Sequence, residues 1–430
     1  MLRCYRLDQR PSVVVKFGRS SRLDALISGA LVVAVAGFLA NVLNLGVSIL
    51  IARLLTPRDY GAFSQMVGIF FIVALPGSAL SVAVVRRATQ YLVLDDEPLM
   101  RHWQRRLNQR LLRWAAGFSM LALLASFGIS LWLGHRSWLA VWINALAAIT
   151  WALLNVDRAL LQARQRYVDL AKNFVLEGVV RTVFMVALSP FGVTGIVLGL
   201  FIAISLARIH ARRLVNPGAR SEGPMLEHTG ITGDLVVALA TLGLLATLQF
   251  VDVFLVGRYQ PHHAGAYSAI SQVAKTIVYG AIILGNFLLP ETSIAERRGS
   301  DAYRQLAISA GLLSIPTVVL VIASEAAAEP LLRLVFGARY ADAHSSLSTL
   351  ILAMSFLAGS MLLATYLLGS GRRWPTVWLA FATVGGTWYL AGAQSSIGDC
   401  VHRNLLLQAV TFLGLLVATL RPIPEVASVD

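Results

Sequence analysis

Pro57-Arg58-Asp59-Tyr60-Gly61-Ala62-Phe63-Ser64 and Pro261-His262-His263-Ala264-Gly265-Ala266-Tyr267-Ser268 are two copies of one pattern, P-x-x-x-G-A-[FY]-S. Each has an arginine shortly upstream, Arg53 and Arg258, and each leads into a long apolar run. Proline and glycine supply a turn, and the aromatic suits the belt where a membrane meets water. Its recurrence at an equivalent place in the second half of the chain points to an internal repeat.

Working outward, the flanking sequence is apolar in blocks of about twenty residues, the length a helix needs to cross a bilayer. Hydrophobic residues make up 57% of the chain and charged ones 13%, against roughly 25% charged in soluble proteins. Twelve blocks are readable, at about 28–54, 61–85, 114–134, 138–156, 174–190, 193–209, 234–256, 265–289, 304–323, 345–369, 374–393 and 403–420. The fifth and sixth meet at Ser189-Pro190-Phe191-Gly192, a tight turn. The repeated motif follows blocks one and seven, so the halves share an orientation, a parallel repeat. The expectation is an all-α polytopic membrane protein of about 12 transmembrane helices in two six-helix lobes, 28–214 and 234–420. A segment 1–27 precedes them, a polar linker 215–233 joins them and a tail 421–430 follows.

The formal charge of +14 would suggest nucleic acid in a soluble protein. Here the basic residues lie between apolar blocks, so they read as a topology signal and exclude that partner. With the N-terminus inside, the outer segments hold only Arg53, Arg58, Arg136, Arg258, Arg333, Arg339 and Arg403. The remaining loop cations, Arg158, Arg164 and Arg208 among them, fall inside, which places both termini in the cytoplasm. The apolar run Ala25–Leu55 is too long for a signal peptide and reads as a retained first span. Cys4 and Cys400 fall on opposite faces and have no metal-ligand spacing.

The stretch from Arg86 to Arg113 is the most basic, with Arg101, Arg105, Arg106, Arg110 and Arg113 at near-helical spacing. It reads first as an interfacial segment on anionic lipid, and second as a funnel for an acidic headgroup. Asp95-Asp96-Glu97 beside it has the composition of a metal cluster, but a lone acidic run in a loop is ordinarily solvated.

Four charged residues fall well inside spans: Glu177, Arg181, Asp252 and Lys275. Each costs about 2.5–3.5 kcal/mol near a helix centre, so each needs a partner or a water-filled cavity. Glu177 and Arg181 are four apart with the acid first, the favourable order for an ion pair. Arg181 retains donors after one carboxylate contact and is suited to gripping a phosphate. Lys275 falls near mid-membrane, and Asp252 nearer the outer face, within reach of a long lysine side chain. The favoured reading makes Lys275 a cavity-facing substrate or proton site, the other a buried structural pair. Gln249, Gln272, Tyr279 and Asn286 mark a wet face on the same spans. Asn41, Asn44, Gln65, Asn144 and Asn155 do so more weakly, and interhelical hydrogen bonding explains any one of them alone. The substrate-binding candidates are thus Lys275, Arg181, Gln249, Gln272, Tyr279 and Asn286. Asp252 and Glu177 are the candidates for ion coupling.

Enzyme signals are poor. His262-His263 are adjacent, so their side chains diverge, and no zinc, nucleotide-binding or nucleophile-elbow motif occurs. Gly195-x-x-x-Gly199 is a helix-packing pattern. The longest outer loop, about 324–344, is short and half apolar. No catalytic residue, metal or cofactor is expected.

Arg53-Leu54-Leu55-Thr56-Pro57-Arg58-Asp59-Tyr60-Gly61-Ala62-Phe63-Ser64 resembles the signature after the first helix of polysaccharide-biosynthesis membrane proteins. These are the O-antigen and exopolysaccharide flippases of the multidrug/oligosaccharidyl-lipid/polysaccharide (MOP) exporter superfamily. Leu161-Gln162-Ala163-Arg164-Gln165-Arg166-Tyr167, the stretch Asp252 to Ser268, and Phe336-Gly337-Ala338-Arg339-Tyr340-Ala341-Asp342-Ala343 are similar to later segments of that family. The resemblance implies two lobes around a central cavity that opens alternately to each side. It implies a cargo of oligosaccharide on undecaprenyl pyrophosphate, moved across a bacterial inner membrane for O-antigen, exopolysaccharide or capsule export. A cationic cavity is also implied, a role Arg181 and Lys275 fit by chemistry, as are a coupling cation (proton or sodium) and a polysaccharide assembly complex as partners. Three alternatives stay open: a cation-coupled multidrug antiporter, a lipid II flippase and a non-transporting scaffold.

Overall fold

A computed structural model of the chain describes residues 19–93, 97–134, 137–215, 233–285, 302–370, 372, 374–393 and 396–420. Cys4, Asp95, Asp96, Asn286, linker residues 216–232 and the tail 421–430 lie outside the described residues, as does the side chain of Asn41. The first half contains α1 (Arg19–Leu54), α2 (Pro57–Val93), α3 (Glu97–Leu133), α4 (Trp138–Ala163), α5 (Tyr167–Ala187) and α6 (Gly192–Val215). The second contains α7 (Gly233–Tyr259), α8 (Ala264–Ala274), α9 (276–285), α10 (Ala302–Val335), α11 (Leu347–Gly369), α12 (Trp374–Ala391) and α13 (Ile397–Leu420). No strand occurs among the described residues.

Taking α8 and α9 together, ten of these segments are long and apolar enough to cross a membrane. The other two are α5, diluted by Asp169, Lys172, Glu177 and Arg181, and α12, diluted by Pro375, Thr376, Thr383, Gly385, Gly386 and Thr387. The chain is a multi-pass membrane protein. Its outward faces carry large apolar side chains such as Trp114, Leu124, Ile322 and Trp388, which suit lipid and would be costly in water. Within the first half α2 packs on α4, α4 on α6, and α5 on α1 and α6; in the second, α11 packs on α10 and α13, and α7 on α12. The halves meet chiefly where α2 crosses α7 and α8.

The two copies of the repeated motif meet each other in that seam. A Cβ on Gly61 would run into Ala264 and Gly265, and one on Gly265 into the backbone of Pro57. Only glycine allows α2 and α8 this close. The copies start their helices differently. Thr56 caps α2, accepting from Asp59 N at 3.2 Å and donating to the Asp59 carboxylate at 2.7 Å, and Pro57 takes the first helical position. In the second copy the helix begins only at Ala264, after a turn.

Beside this contact the halves exchange helix caps. Arg53, at the end of α1, donates to the last carbonyls of α10, Val335 O at 3.1 Å and Leu334 O. Arg339, just after α10, donates to the Ala52 and Arg53 carbonyls that close α1, and the Tyr340 hydroxyl donates to Ala52 O at 2.6 Å. Terminal carbonyls lack intrahelical donors, so each half satisfies the other's. Tyr60 packs edge-on against Tyr340, ring centroids 5.5 Å apart, and beside Phe336. Further along α2, Gln65 donates to Phe254 O, and Phe71 stacks on Phe250 and leans on Tyr279. These contacts occupy the first half of α2, the end nearer the α1–α2 turn.

Several expected boundaries shift. The basic stretch from Arg86, read as interfacial with near-helical spacing, is helical on both sides of residues 94–96: α2 continues to Val93 and α3 starts at Glu97. Its apolar positions explain this, since Tyr91, Met100, Trp103 and Leu107 form a cluster with α4 and α6 beyond the apolar blocks. The expected loop 324–344 is largely helical. α10 runs to Val335 through a kink at Ala327 (φ −148°, ψ 28°), and a 3-10 turn spans Ala338–Ser346. The fourth span, drawn to residue 156, continues as α4 to Ala163 because Asp157 and Arg158 find partners on α5 and α6. The Ser189–Phe191 turn is present as read, with Gly192 at φ 65°. Gly195 and Gly199 let α6 lie against the end of α5.

Candidate functional site

In the first half a buried charge cluster is built around one carboxylate. Glu177 on α5 accepts from Arg158 on α4 at 2.6 Å and from Arg181 one turn along its own helix. Arg158 also donates to Asn173 Oδ1 at 2.7 Å, while its guanidinium covers the Phe174 ring at 4.2 Å. Asn173 in turn donates to Ala207 O on α6 at 2.8 Å, and Arg181 donates to Asn44 Oδ1 on α1 at 2.6 Å. Four helices are tied together through these side chains.

Two guanidinium groups face one carboxylate, so the cluster keeps one positive charge. The surplus lies toward Arg181. Its side chain is 16% exposed, against 6% for Arg158, and its Nε makes no hydrogen bond. Arg158 was expected among loop cations; it is instead buried among the helices, as is Asp157 beside it. The apolar window that ends at Val156 hides it.

The second half holds a different cluster. Asp252 on α7 is fully buried and its Oδ1 lies 3.5 Å from Lys275 Nζ. Its Oδ2 accepts from the Tyr267 hydroxyl at 2.8 Å and from Asn404 Nδ2, on α13, at 3.3 Å. Gln408, one turn on from Asn404, donates to Asn404 Oδ1 and to Leu248 O. Lys275 occupies the break between α8 and α9, its amide bonded back to Ser271 O at 2.9 Å. A cation at the C-terminal end of α8 meets the negative end of the helix dipole. Its ammonium also lies 4.5 Å from the Phe250 ring centre. Lys275 is 2% exposed, so it sits here in a pair with Asp252.

The structure thus joins Lys275 to Asp252 and Arg181 to Glu177, and the two clusters share no residue. Gln249 is buried with its Nε2 unpartnered, while Gln272 and Tyr279 are half-buried. Gln65 and Asn144 serve as interhelical links, the latter donating to Met66 O at 2.7 Å. His262 and His263 are exposed. Residues that sequence reasoning passed over are Arg158, Asn173, Tyr267, Asn404 and Gln408. A signal existed for the last pair: two amides four apart on an otherwise apolar span.

No protein-family model and no curated protein matches the sequence. Solved structures do match by shape. An inward-facing multidrug resistance MATE family transporter of the MOP superfamily aligns with TM-score 0.68 at 14% identity, covering 88% of this chain and 94% of that one. The lipid II flippase MurJ in an inward closed conformation aligns at 0.65 and 13% identity, covering 90% and 87%. A MATE structure in its bent conformation aligns at 0.61 and 15% identity, covering 92% and 95%. Among its described residues the chain has the all-helical fold of these MATE and MurJ structures.

Proposed function

We propose that the protein is a transporter that flips a polyprenyl-pyrophosphate-linked oligosaccharide across the bacterial inner membrane by alternating access, for surface polysaccharide export. The carrying observation is the uncompensated cation of the Arg158–Glu177–Arg181 cluster. A pyrophosphate cannot cross hydrocarbon alone, and a buried guanidinium replaces part of its hydration. The polyprenyl tail stays in lipid while sugars pass between the lobes. A site for cationic drugs would carry surplus acid instead, which counts against the multidrug antiporter.

In this reading 28–214 and 234–420 are the rocking lobes, 215–233 links them, and both termini are cytoplasmic. Arg181 binds the pyrophosphate, with Gln249, Gln272, Tyr279 and Asn286 along the path. Asp252 couples an ion: releasing Lys275 to a phosphate frees the carboxylate for a proton or sodium. The likeness in fold to MurJ supports a second cargo, lipid II, which carries the same pyrophosphate chemistry.

The test is a flipping assay in proteoliposomes with a fluorescent polyprenyl-pyrophosphate oligosaccharide. Arg181→Ala is expected to slow flipping about tenfold or more, the value of one charge-assisted contact, and Arg181→Lys to retain part of the rate. If Arg181→Ala and Lys275→Ala both flip at the wild-type rate, the site assignment fails.

A further inference from the structure

Where the halves meet at the α1–α2 end, they leave a cavity of about 500 Å³ between them, within the range of about 300–1,000 Å³ typical of small-molecule sites. The start of α2 lines it with Arg58, Asp59 and Gln65, and the end of α7 with Arg258. Ser137 and Thr194, at the starts of α4 and α6, complete its polar lining. No residue of either buried charge cluster borders it.

This lining carries two guanidinium groups against one carboxylate. Neither Arg58 nor Arg258 makes an ion pair or a hydrogen bond among the described residues, and the Asp59 carboxylate accepts from the Thr56 hydroxyl at 2.7 Å. Arg258 leans from the second half onto the first: its Nη1 lies 3.6 Å from where a Cβ on Gly134, just after α3, would stand. Arg58 is in the first turn of α2, where the helix dipole disfavours a cation. The starts of α4, α6 and α8 bring further positive dipole ends to the same cavity. Positive charge thus converges from both halves, and an anion is what would balance it. Gln65 makes a second demand. It is 1% exposed, and its Nε2 is committed to Phe254 O at 3.1 Å. Its Oε1 accepts from no donor among the described residues. A bare anion would satisfy the arginines and leave this oxygen unmet; a neutral sugar would do the reverse.

We infer that this cavity binds an acidic sugar, a ring bearing a carboxylate or phosphate beside its hydroxyls. Arg58 and Arg258 take the oxyanion, and Gln65 Oε1 accepts from a ring hydroxyl. Both halves contribute, so the site is whole only while the seam at this end is closed. The site needs the fold alone. The source of the sugar rests on the transport reading: it is the glycan of the cargo, so the oligosaccharide carried is an acidic one.

Isothermal titration calorimetry of the purified full chain tests the site with sodium glucuronate, glucose 6-phosphate, glucose and acetate. At least one of the two acidic sugars is expected to bind about tenfold tighter than glucose or acetate. Arg58→Ala and Arg258→Ala should each weaken it about tenfold, with Arg333→Ala as an unaffected control. Both arginines are exposed, so their loss leaves the helix packing intact. Acetate binding as tightly as both acidic sugars, or wild-type affinity in both variants, overturns the site. The proteoliposome assay then tests the source. Cargo bearing a uronate or sugar phosphate should flip faster than its neutral counterpart, and Arg258→Ala should erase the difference; equal rates for the two cargoes overturn the cargo as source. Calorimetry with soluble sugars requires no flipping, so its outcome is separate from that of Arg181→Ala on transport.

Discussion

Glu177 balances two arginines, so removing each member of the cluster has a different consequence. Without Arg181, Arg158 and Glu177 remain a matched pair at 2.6 Å. Without Glu177, two guanidinium groups face each other in the helix interior with no counter-charge. Breaking a buried pair in that way costs about 3–5 kcal/mol. Glu177→Ala should therefore lower the melting temperature in detergent far more than Arg181→Ala, which should mainly slow flipping. Equal losses of stability would mean that Arg181 is structural and that no surplus charge exists for cargo. The Asp252 cluster makes a parallel demand. Tyr267→Phe strips a donor from a fully buried carboxylate, which costs about 1–3 kcal/mol. It should lower the melting temperature, and a wild-type melting curve would show that Asn404 and Lys275 suffice.

At the scale of elements, the seam between the repeat copies depends on glycine where helices touch and on arginine where they end. Gly265→Val puts a branched side chain into the Pro57 backbone, and overpacking of this sort costs about 1–3 kcal/mol. Gly311, in α10, has nothing within 4 Å of where a Cβ would lie. Melting temperature should fall for Gly265→Val and hold for Gly311→Val; the reverse order would remove the seam as the point of contact. This scale also shows what the sequence makes legible. The motif copies were readable as repeats because proline, glycine and an aromatic recur in order. That they touch one another was not readable, since a repeat period says nothing about which faces meet. Apolar runs located the spans but cut α4 at residue 156, because hydropathy treats Asp157 and Arg158 as solvent-facing whatever partners await them on α5 and α6. The same averaging passed over Asn404 and Gln408, whose amides are lost among leucines. Glu177, Arg181, Asp252 and Lys275 stood out because isolated charge in a span is rare.

For the whole molecule, if the halves rock as proposed, the cap exchange acts as a latch whose strength can be tuned without touching either charge cluster. Arg53 and Arg339 bond to backbone carbonyls of the opposite half, and Tyr340 adds a third link. All three must break for the lobes to part at the α1–α2 end. Ala264, only 5% exposed, lies in the seam the latch holds shut, so a cysteine placed there reports on opening. These arginines are partly in solvent, where a hydrogen bond contributes about 0.5–1.5 kcal/mol. Removing one should shift the open-to-closed ratio roughly three- to tenfold. Arg339→Ala in an Ala264→Cys background is expected to speed maleimide labelling by that factor, and adding Tyr340→Phe to speed it further. Two rigid lobes exchanging between states require the gain to appear at this end alone. If labelling stays at the background rate in both variants, the contact is static, and alternating access must run through some other surface.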